Sequence, residues 1–285
     1  MTLWQAILLG LIQGLTEFIP ISSTAHLTLA GNILGLIDPD RPQQWTVFIA
    51  VIQLGTLLAV FIYFRSDITA ITKGFIIASL GRLRKQEVEE EHRRQARLAW
   101  LVIIGSIPIA AVGLVLKDVI EGKLTKSLWV IATSLIGLAL LLTIAELVAT
   151  HRRGMKDLGV RDALIVGFSQ VFALIPGSSR SGTTITGGLF AGIEREAAAR
   201  FSFLLSIPAI GASGLLEFIE ALGSQTADWT PMIVASAVAA VSGYFSISFL
   251  LRFLQKHTTF VFVGYRIALG LLIIALLASG RISSD

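Results

Sequence analysis

The chain has no cysteine, which excludes disulfides, thiolate catalysis and thiolate metal sites. Charge is also scarce: 15% of residues are Asp, Glu, Lys or Arg, against about 25% in a soluble domain. The opening stretch MTLWQAILLG has neither a basic leader nor a small-residue cleavage site, so it is not expected to be a signal peptide. A surplus of positive charge, net +4, would suggest nucleic acid if it were clustered on a soluble surface. Its distribution along the chain argues for membrane topology and against a nucleic-acid partner.

What fills the chain instead is apolar sequence, 54% of residues with a mean hydropathy of +0.78. Six runs, at about 46–64, 98–116, 127–149, 199–222, 229–253 and 260–279, approach the roughly 20 residues that cross a bilayer as a helix. The expected class is an all-α polytopic membrane protein. Two further regions are interrupted. Residues 2–18 carry Gln5, Gln13 and Glu17 and stop at Pro20 before 22–36 resumes; 161–175 runs into PGSSRSG before 182–193. Each piece is too short to cross alone, so each pair reads as a re-entrant helix–break–helix hairpin lining a protein cavity. An ordinary tilted span over 2–18 is the plainer alternative.

The two breaks match one another. Shifted by 156 positions, IPISSTAHLT lies on IPGSSRSGTT, and Gly31 and Gly55 meet Gly187 and Gly211. Each copy is then a hairpin followed by three spans, 1–149 and 150–285. Because three is odd, the second copy should enter the membrane upside down, an inverted-topology repeat. Sixteen Lys and Arg fall within 65–97, 152–161, 195–200 and 252–256 on one side. The other side has only Arg41, Lys117, Lys123, Lys126 and Arg281, so the first set should face the cytoplasm and 37–45 and 223–228 the opposite side. Residues 65–97 are expected to be a long cytoplasmic loop, within which 82–97 is a charged helix or loop.

Polar residues concentrate at the breaks, where hydrocarbon would make them expensive. Gln13 and Glu17 lie four apart, on one helix face. Ser22, Ser23, Thr24 and His26 open the next half-helix, whose N–H groups and dipole favour an anion. Ser178, Ser179, Ser181 and Thr184 surround Arg180, whose planar fork suits phosphate. Brought together, these groups suit phosphoryl transfer. Ser23 is the candidate nucleophile, His26 the acid or base, Arg180 the charge stabiliser, and Glu17, alone or with Gln13, a metal ligand or a tuner of His26. Serines in membrane helices commonly bond a nearby carbonyl instead, and Glu17 and Arg180 could be a purely structural pair. Glu146 and Arg266, inside predicted spans but outside any motif, read as such a structural pair.

QGLTEFIPISSTAHL (13–27) and PGSSRSGTT (176–184) resemble the two signatures of bacterial undecaprenyl-diphosphate phosphatases, the bacitracin-resistance protein family; IQLG (52–55) and RFSFLLSIPA (200–209) are similar to it as well. The resemblance implies hydrolysis of the terminal phosphate of undecaprenyl diphosphate, which recycles the lipid carrier of wall synthesis. It also implies a multi-pass protein of the bacterial cytoplasmic membrane and a magnesium or calcium requirement. By motif position it assigns Gln13 and Glu17 as the family's (Glu/Gln)-x-x-x-Glu pair, Ser23 as nucleophile, His26 as the histidine and Arg180 as phosphate ligand. Ser22, Thr24, Gln53, Ser178, Ser179, Ser181 and Thr184 become expected substrate-binding residues. Gln13 supplies no second carboxylate for a metal. Membrane lipids are the surrounding partners, and a homodimer is left open. A secondary transporter or flippase is the rival reading, since broken-helix inverted repeats are common there; a carrier has no need of Ser23, His26 and Arg180 together. A structural envelope subunit would leave Glu17 and Arg180 unexplained.

Overall fold

A computed structural model describes residues 1–38, 42–116, 127–223 and 229–282. Arg41, Lys117, Lys123 and Lys126 lie outside these, as do 39–41 of the expected 37–45 loop and 224–228 of the expected 223–228 loop. Among the described residues there are eleven α-helices: α1 Leu3–Phe18, α2 Ser23–Ile33, α3 Pro42–Tyr63, α4 Arg65–Arg84, α5 Glu90–Val115, α6 Leu128–Val148, α7 Val160–Val171, α8 Arg180–Phe190, α9 Arg195–Gly223, α10 Trp229–Leu254 and α11 Phe260–Ala278. Six of these, α3, α5, α6, α9, α10 and α11, are long and apolar enough to cross a membrane. They coincide with the six runs read from the sequence. The stretch 65–97 departs from expectation: it is helix α4 followed by the first two turns of α5, which pack on each other. Helix formation outlasts the apolar run because Asp67, Glu90 and Glu91 stand in first turns, where the helix dipole favours them.

The helix starts and stops explain the two broken regions. Gln5 accepts the Thr2 N–H at 2.8 Å to open α1, and Asp162 accepts the Gly159 N–H at 2.7 Å to open α7. Ser22 (φ 75°) and Ser179 (φ 67°) then cap α2 and α8, accepting from the N–H groups of Ala25 and Gly182. Gly35 and Gly192, both at positive φ, follow the ends of these helices. All these pairs are 157 apart, not 156. The IP and SS identities are therefore one residue out of structural register, and the partner of Ser179 is Ser22. Ser23 instead corresponds to Arg180, the first residue of α8.

Packing sets the direction of each element. Along α1, Gly10 faces Ala235, Gly14 faces Ala239, and the Leu15 carbonyl accepts from Ser246 at 3.0 Å, so α1 runs alongside α10 in the same sense. A Cβ on Gly14 would lie 2.6 Å from the Ala239 oxygen, so this approach needs glycine. Helix α7 runs likewise beside α5, with Arg97 donating to the Leu158 carbonyl at 2.7 Å and Gly105 close to the Ala163 carbonyl. Helices α3 and α9 pack antiparallel: Leu57 meets Gly211, Leu54 meets Gly214, and Arg200 pairs with Asp67 at 2.9 Å. Ala6, Trp45, Phe48 and Met232 form an apolar cluster where α1, α3 and α10 begin. Leu158, Ala163, Ile193 and Phe201 form its counterpart at the other end, where α7 and α9 begin. The largest core cluster, around Phe18, Phe64, Phe203 and Leu250, gathers the places where α1, α3 and α10 end against the start of α9. Phe18 meets Phe203 edge-to-face at 5.2 Å, fixing the end of α1 beside the break.

Candidate active site

The last turn of α1 carries Glu17 to the point where α2 and α8 begin. Its Oε2 accepts from Ser23 Oγ at 2.7 Å and from Gln13 Nε2 at 3.0 Å; its Oε1 accepts from Arg180 at 3.1 Å. Ser181 Oγ donates to the Glu17 carbonyl at 3.4 Å. Glu17 and Ser23 are buried and Arg180 is half-buried. One carboxylate thus holds a hydroxyl from one break and a guanidinium from the other. The shared N-cap geometry explains why Ser23 and Arg180 converge: both are first residues of their helices.

Other expected residues have definite places. Ser22 and Ser179 are the caps, and Ser179 Oγ is 3.2 Å from Ser181 Oγ. His26 bonds through Nδ1 to the Ser22 carbonyl at 2.6 Å and through Nε2 to the Tyr265 hydroxyl at 2.7 Å. The carbonyl can only accept, so Nδ1 carries a proton, and in the neutral ring Nε2 accepts from Tyr265. His26 therefore joins the site beside Ser23, not hydrogen-bonded to it. Thr184 turns to the Arg180 carbonyl at 2.7 Å and to Ser202 Oγ at 2.5 Å, tying α8 to α9. Thr24 and Gln53 are half-buried and make no side-chain hydrogen bond with the described residues. Two polar atoms in this region are buried without a partner: Gln13 Oε1 and Ser178 Oγ. Buried polar groups are ordinarily satisfied, so orphans at a convergence of charge point to a bound group.

Arg266 corrects the reading from sequence. Its side chain is wholly buried and donates to the carbonyls of Leu135, Pro20, Gly177 and Ser178 at 3.2, 3.5, 3.4 and 2.9 Å. Glu146 is elsewhere, bound to Arg195 and to Thr259 Oγ1 at 2.8 Å, so the two do not pair. Arg266 ties the first break to the second, and a Cβ on Gly182 would come within 2.6 Å of its guanidinium. Ser134 adds a hydrogen bond to the Pro176 carbonyl. Tyr265 and Arg266 escaped a motif search; the only signal was a lone charge within an apolar span.

The fold and site define a class: a multi-pass helical membrane protein whose interior brings a half-buried arginine to a buried serine and carboxylate where α2 and α8 begin. Residues 6–272 match the family described as bacitracin resistance protein BacA. Proteins named undecaprenyl-diphosphatase are 56% identical over 95% of both chains in Syntrophobacter fumaroxidans, and 48% identical over 99% of this chain and 92% of the relative in Myxococcus xanthus. A third, from Chlorobaculum tepidum, is 44% identical over 99% of both. The chain belongs to the bacitracin resistance protein BacA family.

Proposed function

We propose that this protein hydrolyses undecaprenyl diphosphate to undecaprenyl phosphate and inorganic phosphate in the bacterial cytoplasmic membrane. The observation that carries this reading is the simultaneous hold of Glu17 on Ser23 and Arg180. Phosphoryl transfer asks chiefly for positioning and for charge to meet the phosphoryl oxygens. Ser23 Oγ attacks the terminal phosphorus and passes its proton to Glu17. The bond from that phosphorus to the bridging oxygen breaks, and the lipid monophosphate leaves. Protonation neutralises Glu17, so Arg180 loses its carboxylate partner just as the phosphoryl group needs one. Water then attacks the phosphoserine, the bond from phosphorus to the Ser23 oxygen breaks, Glu17 returns its proton to that oxygen, and inorganic phosphate leaves. His26, with its Tyr265 partner, is the titratable group at hand to take the proton from the attacking water. The N-terminal turns of α2 and α8, with Ser178 and Ser179, offer further donors to the diphosphate.

A magnesium or calcium ion fits this donor set. Gln13 Oε1 is a buried oxygen without a partner, next to the Glu17 carboxylate. No group of three His, Cys, Asp or Glu could chelate a metal among the described residues. Such ions are commonly held by one or two carboxylates together with substrate phosphates. Glu17 and Gln13 would hold the ion, and when bound it would neutralise charge on the diphosphate.

The hairpins read as re-entrant and the two copies, 1–149 and 150–285, as an inverted repeat. Support comes from the matched caps and from α1 and α7 starting at opposite end clusters. The contacts Arg97–Leu158, Arg200–Asp67 and Arg195–Glu146 gather basic loops at one end, which favours the cytoplasm for that end. Purified protein given a polyprenyl diphosphate should release one phosphate per lipid. Lipid movement across vesicles without phosphate release would favour the carrier reading instead.

A further inference from the structure

At the basic end a cleft of about 320 Å³, which shares no lining residue with the site at Glu17, opens between α4, α5 and α9. Its lining sets four cations, Arg94, Arg97, Lys156 and Arg200, against two carboxylates, Asp67 and Glu91. Both carboxylates are engaged, Asp67 by Arg200 at 2.9 Å and Glu91 by Arg94 at 3.6 Å. Neither Arg97 nor Lys156 has an ion-pair partner among the described residues, and Arg97 spends one nitrogen on the Leu158 carbonyl. The cleft therefore keeps two cations in surplus. Its floor, Ile71 and Leu204, continues into an apolar groove of about 210 Å³ walled by Ile68, Phe75, Ile103 and Ile207. Ile103 is 44% exposed on the apolar flank of α5, so the groove opens sideways toward lipid. Trp100 packs on Phe75 at 5.4 Å and is itself exposed, as aromatic side chains are at a membrane interface.

A soluble anion would use the cleft and leave the groove idle; an apolar molecule would do the reverse. From their continuity we propose that this is a second lipid site, which binds an anionic glycerophospholipid of the surrounding leaflet. Its phosphate sits between Arg97 and Lys156 and one acyl chain lies along Phe75 and Ile103. The site braces α4 and the start of α5 against α9, and this role is independent of the chemistry at Ser23.

The test is native mass spectrometry of the full chain in detergent, titrated with phosphatidylglycerol and phosphatidylcholine of identical chains. Wild type should retain one phosphatidylglycerol in preference. Each surplus cation should contribute about five-fold, the equivalent of about 1 kcal/mol for a basic residue near an anionic surface. Lys156→Gln, an exposed change, should lower retention about five-fold, and adding Arg97→Gln should remove the preference. Equal retention of the two lipids by wild type, or undiminished retention by Lys156→Gln, would overturn the proposal. Displacement by an equal concentration of glycerol phosphate would also overturn it, in favour of a site for the headgroup alone. Because the readout is lipid retention, failure here leaves the phosphatase reading intact, and failure of that reading leaves this test valid.

Discussion

Replacing Arg266 with methionine would remove a side chain that donates to main-chain carbonyls of both breaks. Four carbonyls would lose their donor, and three of them, Pro20, Gly177 and Ser178, lie in the breaks, outside any α-helix. Side-chain hydrogen bonds between membrane helices average only about 0.6 kcal/mol, because alternative partners exist in the unfolded reference state. A fully buried cation on non-helical carbonyls has no such alternative, so the range for charged donors, about 1.5–3 kcal/mol each, is the better guide. Counting only the shortest bond to a break carbonyl, to Ser178, gives a loss of at least about 1.5–3 kcal/mol. That is a sizeable part of the roughly 5–15 kcal/mol stabilising a typical domain. Thermal unfolding in detergent should therefore shift strongly downward, and phosphate release should fall with it even at temperatures where the variant is folded. Arg266→Lys should recover little, since one ammonium cannot span four acceptors. An Arg266→Met protein that unfolds and turns over like wild type would refute the idea that Arg266 holds the two breaks together.

Arg180→Lys should behave in the opposite way, keeping its unfolding temperature while turnover falls more than any rise in apparent substrate constant; near-normal turnover would make Arg180 a mere counter-ion. A cysteine at Arg281 should be labelled by an impermeant reagent outside intact cells and one at Glu87 should not; the reverse pattern would defeat the topology. His151, in the loop after α6, is held below its ordinary pKa, by burial first and by Arg195 second. Its unfolded form therefore binds protons more readily, so stability should fall as pH drops below about 6.5. His151→Asn, which tolerates the positive φ there, should flatten that fall, and an unchanged pH profile would contradict the assignment.

The spans were legible because lipid demands long apolar runs, and nothing else in the chain imitates them. Helix α4 was not, because its mixed charged and apolar residues carry no such run and its helicity shows only in its packing on α5. The convergence of Glu17, Ser23 and Arg180 could be anticipated from polar groups placed where lipid penalises them. The register of the breaks could not. Identical IP and SS letters align at 156, while the caps, the closing glycines and the paired Gln13 and Gln170 align at 157. Backbone conformation decides between the two, and Ser22 and Ser179 both take the positive φ of a cap. The acceptors of Arg266 were equally hidden, since a main-chain carbonyl leaves no mark on the sequence.

That register also sharpens the central claim, that Ser23 is the nucleophile activated by Glu17. Ser22 and Ser23 are neighbours, yet one caps a helix and the other donates to the carboxylate. Glycine at Ser22 gives up the cap but suits the positive φ, at a cost of a few tenths of a kcal/mol. The most direct test is phosphate release from a polyprenyl diphosphate by Ser23→Ala and Ser22→Gly, each checked for folding and for lipid diphosphate binding. Ser23→Ala should bind the lipid and release no phosphate above background, while Ser22→Gly stays within several-fold of wild type. Wild-type turnover in folded Ser23→Ala protein would contradict the account.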